Sequence, residues 1–586
     1  MENLSKKVHN LLLKLYDLAQ VEDLESDLWR QIEAFRQQNP QLRKNISPSD
    51  PFTEKDIFLI TYADQFLQWE RSPLEALAMF LGAYVKDVIS GLHILPFFPY
   101  SSDDGFAVID YRRVSRDFGT WKDIDSLAGQ YRLIVDLVAN HVSSESRWFQ
   151  GFLRHEKPYT DFFISLEPGL DLSAVARPRA TPLLSRVETD EGPRYVWTTF
   201  GPDQIDLNYN HPGVLLEIIK VLLFYVSHGA RVIRLDAIAY LWKLQGTSCI
   251  HLPQTHVIVK ILRAVLDACA PSVLLLTETN VPHQENISYF GDRVPGTDRT
   301  DEAQMVYQFS LAPLLLHTFI SGDVTRLNAW LHGLPKQPPG TTFMNFTATH
   351  DGIGIRPAQG LLEPDEIRAL VERALSHGGL ISYGSNPDGS QSPYELNITW
   401  YDALNDPVHP DMETDIRRFL ASQAILLALS GVPGIYVHSL FGSRNCTKCL
   451  DQTGRARSLN REKLFLEDLQ KELANPQSLK ARVLSSYRHL LQVRRNEPAF
   501  RPSAAQQLLN ADPAIFAILR TAEDGSRLRC LTNVSQGVRI AEAQALNGEM
   551  RKNTRWVDLL TGEVFSADER RNIVLGSYQT RWLKSR

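Results

Sequence analysis

Apolar segments of strand length recur eight times between about residue 57 and residue 442. They read DIFLITYADQF, GLHILPFFPY, YRLIVDLVANH, ARVIRLDAIAY, SVLLLTETN, AQMVYQFSL, TTFMNFTATHD and GVPGIYVHSLFG. Each is a near-continuous apolar run rather than an alternating one, so both faces of each strand should be buried. Helix-like stretches lie between several of them, such as PGVLLEIIKVLLFYVSHG, which stops at Gly229, and PQTHVIVKILRAVLDACA. Strand–helix alternation repeated eight times predicts an α/β chain built as a parallel (β/α)8 TIM barrel.

Two intervals break the rhythm. Residues of about 142–210, after the third strand, hold no clean helix but contain ARPRATPLLS and YVWTTFGPDQIDLNYN. An inserted subdomain over the barrel mouth is expected there. Residues of about 352–412, after the seventh strand, contain YGSNPDGSQSPYELN, rich in turn formers, which fits either a second insertion or a long active-site loop. Beyond about 500, short segments such as AIFAILRTA and RLRCLTNVS suggest a small β domain. The expected division is a helical extension over 1–50, a barrel with its two insertions over 51–500, and a C-terminal β domain over 501–586.

The first twenty residues, MENLSKKVHNLLLKLYDLAQ, are too interrupted by charge for a signal peptide, and their apolar spacing fits an amphipathic helix. The extension could cover barrel strands or support a homodimer. No apolar run has membrane-spanning length, so the cytoplasm is the expected compartment and no membrane partner is expected. A formal net charge of −6 gives no reason to expect nucleic acid or an anionic membrane, and the short basic clusters SKKVHN and RWLKSR read as solvated ends. Five cysteines in so long a chain imply no disulfide framework. Cys446 and Cys449 form one CxxC without a second pair nearby, which reads as coincidence, with a redox or metal role as the alternative.

The chemistry collects in the stretch VIRLDAIAY, residues 232–240. Arg234 and Asp236 interrupt an apolar strand two places apart, so they share a face. They are either a buried structural pair or part of a site opening on that face. The other strands favour the site. The third closes with Asp136, Asn140 and His141, the fifth with Glu278, the seventh with His350 and Asp351. In a barrel, active sites are built at these C-terminal strand ends. Alone, any one of these residues could be a salt bridge, a cap or a turn; their common position at one end of separate strands is the informative pattern. Three carboxylates meeting at a barrel mouth suit glycoside cleavage through an oxocarbenium-like state, with one carboxylate as nucleophile and one carboxylic acid as proton donor. Arg234 should keep Asp236 ionised, and crowding with desolvation should raise Glu278.

These stretches resemble the conserved regions of the alpha-amylase family, glycoside hydrolase family 13. DLVANH is similar to its first region, VIRLDA to its second, LLTETN to its third and FTATHD to its fourth. The resemblance implies Asp236 as nucleophile, Glu278 as general acid/base and Asp351 as transition-state stabiliser, with Arg234, His141 and His350 around the glucosyl ring. It implies no metal or organic cofactor. PFFPYSSDDGFAVIDY, GTSCIHLPQTH, THDGIG and RSLNR further resemble the sucrose phosphorylase subfamily. On that resemblance, Asp103 and Arg457 grip glucose hydroxyls at the closed end, Phe106 forms an apolar platform, and Phe200 and Gln204 line the acceptor side. Arg177 and Arg179 of ARPR would meet inorganic phosphate, which needs cations to enter a site full of carboxylates.

The chain departs from sucrose phosphorylases on the acceptor side. SPYELN, with Tyr394 and Glu395, stands where DLYQ is usual, and Ala176 stands where a tyrosine is usual. The SNPDGSQSPYELN loop, the N-terminal extension and TETNVPH look more like the glucosylglycerate phosphorylase group. The implied reaction is reversible phosphorolysis of 2-O-α-glucosylglycerate to α-glucose 1-phosphate and glycerate. Glycerate is an anion, so the negative charge of Glu395 must then be offset by a loop cation. The alternatives are phosphorolysis of sucrose, sucrose 6-phosphate or glucosylglycerol, then hydrolysis or transglucosylation, and last a barrel that only binds sugar or a protein partner.

Overall fold

The computed structural model describes residues 2–43, 51–297, 299–386, 388–542, 555–566 and 572–585. Its centre is a closed parallel barrel of eight strands: β1 (Phe58–Thr61), β2 (Gly91–Ile94), β3 (Arg132–Val138), β4 (Ala230–Asp236), β5 (Leu274–Thr277), β6 (Met305–Tyr307), β7 (Thr342–Asn345) and β8 (Val432–Tyr436). Each strand lies within one of the eight apolar segments, and sequential strands are neighbours around the ring. Side chains of alternate residues fill the barrel, with Phe58, Ile134, Val232, Leu274, Leu276, Met305, Met344 and Val432 in one buried cluster. β2 must begin on glycine, because a Cβ at Gly91 would fall 2.1 Å from the Phe58 ring. The flanking helices include α3 (Pro212–Ser227) and α4 (Pro253–Cys269).

The amphipathic N-terminus forms two helices, α1 (Glu2–Leu12) and α2 (Leu18–Gln38). Asp17 starts α2 with a capping box, accepting from the Gln20 amide at 2.9 Å while the Gln20 side chain accepts from the Asp17 amide. Val8, Leu11, Leu12, Val21, Leu24, Leu28, Ile32 and Phe35 are buried as the two helices pack on α3 and α4. The extension therefore covers barrel helices, not strands: α3 and α4 already shield the sheet, and it is their outer faces that need burial. The Tyr16 hydroxyl pins the connection between α1 and α2 by donating to the Tyr209 carbonyl at 3.0 Å.

Both irregular intervals hold more structure than their sequence suggests. The first, expected to lack a clean helix, contains a short one, Arg147–Leu153, capped by Ser146, whose hydroxyl accepts from the Phe149 amide at 3.1 Å. Two turns are too few to establish a 3.6-residue period. A three-stranded sheet follows, with Gly192–Trp197 between Ser165–Leu166 and Leu184–Thr189. The second interval holds a helix, Pro364–Ser376, then a hairpin of Leu380–Ser385 with Gln391–Asn397 that pairs back onto Ile353–Gly354. Gly352 has φ +96°, and a Cβ there would meet the Leu396 carbonyl oxygen at 2.3 Å, so the glycine of THDG lets this hairpin close against the end of β7.

Beyond residue 500 lies a six-stranded sheet whose central strands are Ile515–Thr521, Arg527–Asn533 and Thr580–Ser585, beside a two-stranded sheet of Arg539–Glu542 and Asn572–Leu575. Arg520, fully buried, joins the larger sheet to the barrel side of the chain by donating to the carbonyls of Ala499 at 3.1 Å and Arg501 at 2.7 Å. Cys446 and Cys449 are bonded as a disulfide, which corrects the reading of their spacing as coincidence. Among the described residues there is no cluster of three or more potential metal ligands and no helix long and apolar enough to cross a membrane.

Candidate active site

Strand alternation turns Val232, Arg234 and Asp236 of β4 toward the barrel axis, with Val232 in the interior cluster and the charged pair above it at the C-terminal end. The chain then turns sharply. Ala237 adopts φ 49°, and its amide donates to Glu278 Oε2 at 3.2 Å. This one amide ties the end of β4 to the carboxylate that follows β5.

A cavity at this end of the barrel is lined by Asp236, Glu278 and Asp351 together with Asp103, Phe106, His141, Phe200, Gln204, His350 and Arg457, and by Arg179, Tyr394 and Glu395 from the two insertions. Arg234 lies beneath the floor. Register sets it directly beside Asp136 of β3, and its guanidinium bonds both Asp136 and, at 2.8 Å, Asp236. Asp136 is held in turn by His93 at 2.7 Å. The Arg234 guanidinium lies 5.8 Å from the Phe106 ring and 5.4 Å from the Tyr307 ring, and Phe106 stacks on His350 at 5.0 Å. Arg177 is outside the cavity: its guanidinium donates to the Thr181 carbonyl, because the ARPR turn points successive arginines in different directions.

His141 is oriented by its surroundings. Nε2 faces the Phe106 carbonyl at 3.0 Å, an acceptor, so Nε2 carries the proton. Nδ1 then accepts from Asn140 Nδ2 at 3.2 Å. Asn140 is itself fixed by Lys243, whose buried ammonium sits 2.7 Å from Asn140 Oδ1 and 2.6 Å from Asp206 Oδ2. Sequence reasoning missed Lys243. Its only signal is a lysine inside the otherwise apolar run AIAYLW-K-L.

The mouth is organised by one guanidinium. Arg457 Nη1 lies 2.8 Å from Asp351 and 3.6 Å from Asp103, while Nη2 lies 2.8 Å from Glu395. Arg461, also missed, stands 3.6 Å from Asp351, donates to the His350 carbonyl at 2.9 Å and pairs with Asp104. Its signal is its place at the end of RSLNR. Arg179 reaches within 3.9 Å of Glu395, its guanidinium held between the rings of Tyr394 at 5.4 Å and Phe200 at 6.0 Å. Tyr240 and Asn280 also line the cavity, and Asn280 Oδ1 is buried without a hydrogen-bond partner.

Electrostatics separates the three carboxyls. Burial would raise Asp351, but the guanidiniums of Arg457 and Arg461 outweigh it and hold the group well below the usual carboxylate range. Burial raises Asp236 well above that range; Arg234 opposes it, while Glu278 adds to it. Arg234, expected to keep Asp236 ionised, opposes this rise without outweighing it: desolvation in the barrel mouth is the larger effect. Glu278 is raised as well, first by burial, then by Asp351 and Glu395, against Arg234. Asp236 and Glu278 therefore titrate as a pair with elevated values. Burial lowers both His141 and His350, leaving neutral rings near pH 7.

The alpha-amylase catalytic-domain family model matches residues 83–329. The chain is 48% identical to a glucosylglycerate phosphorylase of Spirochaeta thermophila, over 91% of this chain and 90% of that protein. It is 42% identical to a glucosylglycerate phosphorylase of Escherichia coli, over 91% of this chain and 92% of that protein. The chain belongs to the alpha-amylase family. Within that family it is also 31% identical to a sucrose phosphorylase of Agrobacterium vitis, over 77% of this chain and 90% of that protein. Among solved structures, that of sucrose 6F-phosphate phosphorylase from Thermoanaerobacter thermosaccharolyticum superposes with a TM-score of 0.71, at 24% identity, covering 89% of this chain and 98% of that one. That likeness is one of fold: the family barrel and its attached sheets.

Proposed function

We propose that this family member is a retaining α-glucosyl phosphorylase, cleaving 2-O-α-glucosylglycerate with inorganic phosphate to give α-glucose 1-phosphate and glycerate. The observation that carries the reading is the 42–48% identity, over 91% of the chain, to glucosylglycerate phosphorylases from three organisms. Sucrose phosphorylases match at 27–31% over 74–80%.

In this reading Asp236 is the nucleophile and Glu278 the proton donor. The pair works with one proton: in the working state Asp236, hydrogen-bonded by Arg234, acts ionised and Glu278 acts protonated, although burial raises both carboxyls. Asp236 attacks the anomeric carbon, the C–O bond to glycerate breaks, and Glu278 delivers its proton to the departing oxygen. A phosphate oxygen then attacks the same carbon from the vacated face, Glu278 takes the phosphate's proton, and Asp236 leaves. Two inversions give net retention. Asp351, held anionic by Arg457, stabilises the oxocarbenium-like charge. Neutral His141 and His350, with Asp103, meet the glucose hydroxyls, and Phe106 underlies the ring. The charge of Glu395 is no obstacle to an anionic acceptor, because Arg457 engages both its oxygens, at 2.8 and 3.1 Å. Arg179 then remains to meet the carboxylate of glycerate and, after it departs, the phosphate.

The test is phosphorolysis of glucosylglycerate and of sucrose side by side, following glucose 1-phosphate. Glucosylglycerate should give the far larger kcat/KM. Faster turnover of sucrose, or release of free glucose at a rate indifferent to phosphate, overturns the assignment.

A further inference from the structure

The disulfide stands beside the segment that carries Arg457. Cys446 and Cys449 flank the start of a short helix, Thr447–Thr453, and the 3-10 turn Ala456–Asn460 follows directly. Two hydrogen bonds bracket Arg457 and tie this turn to the helix: the Cys446 amide donates to the Leu459 carbonyl at 2.8 Å, and the Thr453 hydroxyl donates to Ser458 Oγ at 2.7 Å. Arg457 in turn holds Asp351 and Glu395, each at 2.8 Å. A covalent clamp, a helix, a turn and the organising guanidinium of the mouth thus form one continuous path. Both bonded cysteines are half-buried and so within reach of a small reagent, whereas Cys249, Cys269 and Cys530 are buried free thiols.

We propose that Cys446–Cys449 is a redox-modification site that exchanges with dithiols, and that its oxidised form holds Arg457 in the geometry that binds the glucosyl unit. A thiolate of the dithiol attacks Sγ of Cys449, the bond between the two protein sulfurs breaks, and Cys446 leaves as a thiolate, met by the Cys449 amide, which already points at Cys446 Sγ at 3.2 Å. The second thiol of the reductant then attacks its own sulfur in the mixed disulfide and releases Cys449. Two electrons and two protons pass to the protein pair, and the reductant leaves as a disulfide. Oxidation by a disulfide reverses each step. With the clamp open, the helix start and the Cys446–Leu459 bond lose their constraint, and Arg457 loses its fixed position. Arg457 is then a residue whose grip depends on the redox state of a neighbour that never touches substrate.

The inference rests on the glucosyl pocket described above but not on the identity of the acceptor. The protein is equilibrated across dithiothreitol ratios, alkylated in its native state and weighed by mass spectrometry, which reads Cys446 and Cys449 because the other thiols are buried. Glucose binding is followed by calorimetry in the same samples, beside turnover. The expected result is a reversible two-electron transition, with glucose affinity weakened and KM for the glucoside raised several-fold in the reduced form. The double variant C446S/C449S should behave as the reduced form at every ratio. Glucose affinity blind to the thiol state, or two thiols that remain alkylatable after oxidation, overturns the proposal. A redox-dependent glucose affinity without any phosphorolysis of glucosylglycerate keeps the switch and removes the substrate assignment instead.

Discussion

At the scale of single residues, the site stores unfavourable electrostatics in Asp236. Its carboxyl is raised by burial despite Arg234, so the folded chain holds that proton more tightly than the unfolded chain does. Stability is therefore lost as pH climbs from the ordinary carboxylate range toward the raised value of the pair. Asp236→Asn removes this loss. The variant should melt above the parent at pH 7 and show a smaller difference near about pH 3, where the unfolded carboxyl is itself largely protonated. Thermal denaturation at the two pH values checks it; the same variant should lose turnover by several orders of magnitude. The acid limb of kcat should lie above the usual carboxylate range, since the pair must release one proton to become active. Arg179→Met should raise KM for phosphate by roughly ten-fold or more, the loss of a charge-assisted contact of about 1.5–3 kcal/mol, while glucose binding is preserved. Equal KM values would remove Arg179 from the phosphate path.

At the scale of elements, α2 offers the cleanest test of the extension. Leu28 is fully buried where α2 meets the barrel helices, so Leu28→Ala should cost about 2–5 kcal/mol of stability. It should leave KM for phosphate unchanged, because α2 touches nothing in the cavity; denaturant melts beside steady-state kinetics decide it. This is also the scale at which the limits of sequence reading show. The eight strands were legible because each is a short apolar run buried on both faces, and the acidic residues stood out because they gather at one end of several separate strands. The helix Arg147–Leu153 was not legible: two turns of mixed residues carry too little periodicity. Arg177 and Arg179, two places apart on one turn, look alike in sequence, yet only Arg179 lines the cavity. Lys243 and Arg461 escaped because their meaning lies in partners far along the chain, Asn140 and Asp206 for one, Asp104 and Asp351 for the other. No local pattern announces such a contact.

At the scale of the whole molecule, the barrel supplies the floor of the site and the two insertions supply its walls. β3 and β4 deliver the buried Asp136, Arg234 and Asp236, and Glu278 follows β5, while Arg179 comes from the first insertion and Tyr394 and Glu395 from the second. On the proposed assignment the catalytic pair stands at the end of the sheet, while the acceptor end is walled by segments attached to it. Arg457 joins the two, bonding Asp351 from one side and Glu395 from the other. A protein engineer who wishes to change the leaving group inherits that junction. Exchanging position 395 by itself would strand a cation and loosen Asp351, so donor recognition would suffer along with acceptor choice. The effects of substitutions at 395 and 457 should be strongly non-additive, and libraries that explore new acceptors have reason to vary the two positions in concert.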